Sequence, residues 1–307
     1  MISGGRRYIF SSLFSLEIRR SIVYNELAME EKKTLQKEVS FSGVGVHSGK
    51  NVNLALIPSD SGEIIFRRAD LDNLEMSIDP RQIEAKNSTS LVSKDSRIQT
   101  IEHLMATLFA FGIDSLIVEL DSGEIPIMDG SALPFVAAIL QAGTKPLTLN
   151  KKTIQILKPF VLQEKEASIS FFPDSDFKIT YLIDFAHPVI GKQELSLSVN
   201  LRTFASEIAP ARTFGFLKDV ELMRSQGLAL GGSLENALVL DDEKVINGPL
   251  RFPDEFVRHK ILDLIGDLSL LGSPLLGHFK AEKAGHSLHL RAVQFLLDSP
   301  EFWAYEK

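Results

Sequence analysis

The sequence predicts an α+β protein of two domains, each a β-sheet with helices packed on it. Three observations predict this. Segments with strand-like alternation recur in both halves of the chain. Each half also carries about two substantial stretches with helical apolar spacing. Between them lies a polar, proline-containing stretch, TKPLTLNKK, expected to be a linker. The expected domains are 33–147 and 148–307, preceded by a dispensable extension, 1–32.

In the first half, NVNLALIP, EIIFRR and SLIVEL read as strands. QTIEHLMATLFAFG reads as a helix with Ile101, Leu104, Met105 and Leu108 on one face. Thr100 is its expected N-cap and Gly112 its stop. GSALPFVAAILQAG is a second helix, expected to be capped by Ser131 and ended by Gly143. In the second half, TIQIL, ASISFFP, FKITYLIDF, LSLSVN and ALVLDD read as strands. DVELMRSQ is a short helix, a long helix is expected over 254–271, and a last helix is expected to end near Trp303. The glycines of GLALGGS fit neither a dinucleotide fingerprint nor a P-loop.

Composition narrows the function. The 307 residues carry a net charge of −7, which argues against a nucleic-acid partner. With no cysteine there is no thiol nucleophile and no Cys-based zinc site, and a reducing compartment is suited. No apolar run is long enough to span a bilayer. The first twenty residues, MISGGRRYIFSSLFSLEIRR, combine arginine pairs with a short apolar run. Signal and transit peptides are both open readings of it. Met29 is a natural alternative start.

Four places carry chemistry. In RHKILDLIGD, His259, Asp263 and Asp267 recur every four residues and so share one helix row. A His and a carboxylate at i and i+4 can chelate one cation. Gly266 beside them leaves room for something to approach. Glu102 and His103 open a helix, where the dipole favours an ionised carboxylate and a neutral imidazole. His286 follows Gly285 in GHSLH, and ARTFGF offers Arg212 as an anchor for charge and Thr213 as a donor. Taken singly, each pattern more often belongs to ordinary packing or surface. Together, His103, His259 and Asp263 make three N/O ligands with a fourth position open, as in a catalytic zinc site. Ferrous iron suits the same set. A glutamate beside a ligand can act as base and a histidine held by an aspartate as acid. A hydrolase of esters or phosphates would use similar parts.

The motifs GVGVHSGK, TIEHLMA, EIPIMDGSA, ARTFGF, LALGGSLENALVLDD, FVRHKILDLIGDL and AGHSLH resemble the bacterial UDP-3-O-acyl-N-acetylglucosamine deacetylases. The likeness runs from about Lys33 to Trp303. It implies two similar domains, each a sheet with a helical layer, stacked as a β-α-α-β sandwich with inserted subdomains. It implies zinc-dependent hydrolysis of the acetamide of a UDP-linked acylated glucosamine, the committed step of lipid A biosynthesis. His103, His259 and Asp263 would hold the metal, and Glu102 would be the base. Thr213 would help stabilise the oxyanion, and His286, paired with Asp267, would protonate the leaving amine. Lys260 would face the substrate and Phe214 would pack against the sugar. An insert over about 216–240 would form the acyl passage, lined by Leu217, Val220, Ala229, Leu234, Ala237 and Val239, with Gly232 bringing backbone close. Beyond Leu288 the pattern departs: His289 and Leu290 stand where the family has asparagine. A cytoplasmic monomer with at most peripheral membrane contact is expected. The other readings are an amidase for a different N-acetyl sugar, or a non-catalytic binder of nucleotide sugars or lipids.

Overall fold

The computed structural model describes residues 31–306, so nearly all of the expected extension lies outside the described residues. The first half contains β1 (Glu31–Leu35), β2 (Val39–Val44), β3 (Asn51–Pro58), β4 (Ile64–Arg68), β5 (Leu74–Ser77), β6 (Ile83–Ala85), β7 (Thr89–Val92) and β8 (Arg97–Ile98). Helix α1 (Glu102–Phe111), β9 (Leu116–Leu120), α2 (Leu133–Ala142) and β10 (Thr144–Asn150) follow. The second half opens with β11 (Ile154–Ile156), β12 (Phe160–Glu164), β13 (Ala167–Phe172), β14 (Phe177–Phe185) and β15 (Gly191–Ser198). Then come α3 (Leu201–Thr203), β16 (Phe214–Phe216), α4 (Leu217–Ser225), β17 (Leu238–Leu240), α5 (Glu255–Leu268), β18 (Leu275–Glu282), α6 (His286–Asp298) and β19 (Trp303–Tyr305). The protein is a mixed α+β fold with several sheets and six α-helices among the described residues.

The two principal sheets share one strand order. The first runs β2-β3-β9-β4-β5, and β9 is antiparallel to β3 and parallel to β4. In the second, β12, β13, β18, β14 and β15 follow in the same sense, with β18 antiparallel to β13 and parallel to β14. β11 joins that sheet at the start of β18, and β19 pairs with β11. Parallel neighbours need a crossover, usually helical. α1 lies on the crossover from β4 to β9, and α5 on that from β14 to β18. Equivalent crossovers therefore supply the two helices that meet at the site.

Strand alternation sets what faces inward. Val52, Leu54 and Leu56 of β3 are buried, as are Phe177, Ile179, Tyr181 and Ile183 of β14. Twelve of the fourteen residues of α5 are buried, so its polar row is enclosed rather than solvated. Gly266 explains how closely. A Cβ built there would sit 2.2 Å from the carbonyl oxygen of Glu102 on α1. The approach that the glycine permits is that of another backbone.

Several expectations change. TKPLTLNKK is no loop: its first seven residues are β10, paired antiparallel with β1. Glu31 and Lys32, assigned to the extension, begin β1. α1 is capped by Ile101, because Thr100 sits at φ 60° and gives its hydroxyl to Glu124 instead. α2 starts after Ala132, although the Ser131 hydroxyl still accepts from the Leu133 amide. The last helix stops at Asp298, and Trp303 starts an edge strand. Gly112 ends α1 in the left-handed region, as its position predicts.

Candidate active site

α1 enters the site by its first turn, which carries Glu102 and His103. α5 contributes His259, Asp263 and Asp267 from one row, and α6 begins at His286. His103 Nε2 lies 3.6 Å from Asp263 Oδ1, and His259 Nε2 lies 3.4 Å from the same oxygen. The two imidazoles meet edge to face at 5.0 Å. One ligand atom from each of the three side chains falls within 4.8 Å of the others, and all three residues are buried.

The donor set fits a cation. His259 Nδ1 lies 3.2 Å from the Ala211 carbonyl, which can only accept. The hydrogen is therefore on Nδ1 and the Nε2 lone pair is free, the arrangement ligating histidines usually show. Burial lowers the pKa of His259 to about 3, which keeps it neutral. Burial also works against an ionised Asp263. His259, the Lys260 ammonium 2.8 Å from Oδ2, and His103 together outweigh it and hold the carboxyl well below the usual range.

Beside this group, Glu102 is buried and burial raises its pKa. The Thr89 amide donates to its Oε2 at 3.0 Å. His286 Nδ1 lies 2.7 Å from Asp267 Oδ2. Burial opposes a charge on His286, but Asp267 prevails and raises its pKa to about 9. Asp267, against its own burial, is held at about 2 by His286 and His289. Its Oδ1 accepts from the Thr89 hydroxyl at 2.5 Å.

A cavity of about 590 Å³ opens over these residues. Glu102, His103, Thr213, Phe214, His259, Lys260, Asp263 and His286 line one part of it. Leu217, Val220, Ala229, Gly232, Leu234, Ala237 and Val239 line the apolar part. Lys260 Nζ also stands 5.6 Å from the centre of the Phe214 ring. β16 and β17 pair in parallel across α4 and frame this wall. Gly232 lines this wall, and its neighbour Gly231 packs backbone against the β2–β3 turn, where a Cβ would sit 2.3 Å from the Gly45 carbonyl oxygen.

One reading from sequence changes. Arg212 is no free anchor, since its guanidinium binds Glu255 at 2.8 Å and the Pro249 carbonyl. That pair fixes the first residue of α5. Thr89, His289, Tyr181, Glu124 and His47 belong to the site or its support, and no spacing marked them. Glu124 accepts the His47 and Ser48 amides, and His47 lines the cavity with its Nδ1 unpartnered. The GVGVHSGK motif was the available signal for His47.

Comparison with known proteins identifies the family. Residues 32–298 match the family described as UDP-3-O-acyl N-acetylglycosamine deacetylase, LpxC. A UDP-3-O-acyl-N-acetylglucosamine deacetylase of Thermodesulfovibrio yellowstonii is 47% identical over 273 residues, covering 88% of this chain and 93% of the relative. One from Geobacter sp. strain M21 is 46% identical over 275 residues, covering 88% and 90%. One from Chromobacterium violaceum is 43% identical over 282 residues, covering 89% and 92%. With the match spanning both sheets and every site residue named above, the chain belongs to the UDP-3-O-acyl N-acetylglycosamine deacetylase family.

Proposed function

We propose that His103, His259 and Asp263 hold one zinc ion, and that the surrounding residues hydrolyse the acetamide of UDP-3-O-(3-hydroxyacyl)-N-acetylglucosamine. The family activity is this deacetylation, a step of lipid A biosynthesis. The observation that carries the residue assignment is the convergence of His103 from α1 with His259 and Asp263 from α5. Zinc is the favoured cation because two imidazoles and one carboxylate with an open position are its usual catalytic set.

When bound, the ion supplies Lewis acidity toward the acetamide oxygen and acidifies water. Glu102 takes the proton from the water that attacks the carbonyl carbon. Its place next to a ligand, with one oxygen pinned by the Thr89 amide, leaves the other to do this. Thr213 donates to the developing oxyanion from the cavity wall. His286, charged through its contact with Asp267, gives its Nε2 proton to the amine nitrogen as the C–N bond breaks. Acetate and the free amine leave. Lys260 and Phe214 orient the sugar, and Leu217, Val220, Gly232 and Ala237 receive the acyl chain.

We also read the architecture as two domains, 33–147 and 148–307, stacked as a β-α-α-β sandwich with the insert over 216–240. The shared strand order and the contact of α1 with α5 support this reading. No helix among the described residues is long and apolar enough to cross a membrane. We expect a cytoplasmic monomer that at most touches the membrane peripherally. The test is acetate release from the acylated UDP-sugar by apoprotein titrated with zinc or ferrous iron. Activity restored by neither cation would sink the reading.

A further inference from the structure

Asp267 serves two histidines, and only one of them reaches the cavity. His286 lines it, whereas His289 is completely buried. His289 Nδ1 lies 2.8 Å from Asp267 Oδ2, the oxygen that also faces His286 Nδ1 at 2.7 Å. On its other side, His289 Nε2 lies 3.0 Å from the hydroxyl of Tyr181, an inward residue of β14 with no exposed surface. That hydroxyl is also 2.8 Å from the Ala284 carbonyl.

Counting hydrogens assigns the roles. A carboxylate oxygen accepts, so both facing Nδ1 atoms carry hydrogen. The Tyr181 hydroxyl has one hydrogen and gives it to the Ala284 carbonyl, which can only accept, so the hydroxyl oxygen is what faces His289 Nε2. Tyr181 and Asp267 thus hold the two ring nitrogens of His289 from opposite sides of the ring. Thr89 holds the remaining carboxylate oxygen from the opposite side. The carboxylate is held by Thr89 of β7 and by two histidines of α6, of which His286 lines the cavity.

We propose that His289 is a positioning residue: held between Tyr181 and Asp267, it donates its Nδ1–H to the Asp267 carboxylate and locks it in the orientation that aims His286. The proposal rests on His286 being the acid of the deacetylation.

The test measures kcat, KM, zinc content and thermal unfolding for His289→Leu, His289→Asn, Tyr181→Phe, Asp267→Ala and the double variant Asp267→Ala/His289→Leu. His289→Leu is expected to lower kcat about 10- to 100-fold with KM and zinc unchanged. His289→Asn, whose amide can replace the Nδ1–H donor, recovers most of that loss. Tyr181→Phe lowers kcat by less, again without changing KM. The double variant is no slower than Asp267→Ala, because His289 acts only through the carboxylate. Wild-type kcat in both His289→Leu and Tyr181→Phe overturns the proposal. So does a double-variant loss equal to the product of the two single losses. Should His289→Leu fail to fold, unchanged kcat in Tyr181→Phe overturns it alone. His286→Ala separates the two layers. If His286→Ala turns over normally, the acid assignment falls and the proposal with it. If His286→Ala is impaired and His289→Leu is not, the His289 proposal alone falls.

Discussion

Gly266 of α5 lies directly against the main-chain carbonyl of Glu102 on α1: a Cβ at that glycine would stand 2.2 Å from the oxygen. The two helices that carry the proposed metal ligands thus touch backbone to backbone. His103 is the next residue along from Glu102, and Asp263 and Asp267 flank Gly266. This contact sets the distance across which His103 and Asp263 would share the proposed cation.

Gly266→Ala is therefore expected to act at a distance from its own volume. Alanine favours a helix by up to ~1 kcal/mol over glycine. Here the obstacle is a carbonyl oxygen that cannot swing aside, and overpacking costs ~1–3 kcal/mol. The steric cost wins. The variant should melt at lower temperature, and its zinc content should fall as α1 and α5 separate. Unchanged melting with full zinc would show that the helices yield easily.

Glu102→Gln keeps the size of the side chain and removes the base. Zinc content should stay at the wild-type level, since Glu102 is not among the three ligands. kcat should drop by roughly 10²- to 10⁴-fold, the usual reach of a positioned base. Near-normal turnover of acetamide would place the base elsewhere.

The pH profile should fall on both sides. His286 acts protonated, and its pKa is raised to about 9, so its contribution is present below that pH and lost as pH rises through it. Glu102 acts ionised, and burial raises its pKa, so its contribution is lost as pH falls through that raised value. Asp267→Asn removes the charge that raises His286. Its alkaline limb should move to lower pH, toward the ordinary histidine value. An unmoved limb would mean that another group titrates there.

The apolar wall should matter only for the acylated sugar. Val220 lines it from α4, a helix with no buried residue and hence little to lose in stability. Val220→Glu puts a charge against hydrocarbon, and kcat/KM for the acylated UDP-sugar should fall by at least ~10-fold. Turnover of the unacylated UDP-sugar should change little. Equal losses on both would show that the wall does not hold the chain.

Much of the site was legible because it is local. His259 and Asp263 announce themselves by four-residue spacing, and Glu102 and His103 by their place at a helix start. The strands were legible from alternation, and Gly112 from its place after a periodic run. What could not be read depends on contacts made across the fold. Thr89 meets Asp267 across 178 positions, and Tyr181 meets His289 across 108. Neither has a spacing to betray it. Arg212 looked available because its partner, Glu255, lies 43 residues on. β10 looked like a linker because a strand paired only with β1 carries little apolar alternation. Thr100 was a reasonable cap by type, but the buried Glu124 carboxylate competes for its hydroxyl.

The most direct measurement is zinc per chain, together with acetate release from the acylated UDP-sugar, for wild type and for His103→Ala. The wild type should hold one zinc, and the variant should lose zinc and acetate release together, although His259 and Asp263 are intact. Full zinc occupancy in His103→Ala would mean that the first half of the chain contributes no ligand, and the shared site between α1 and α5 would be wrong.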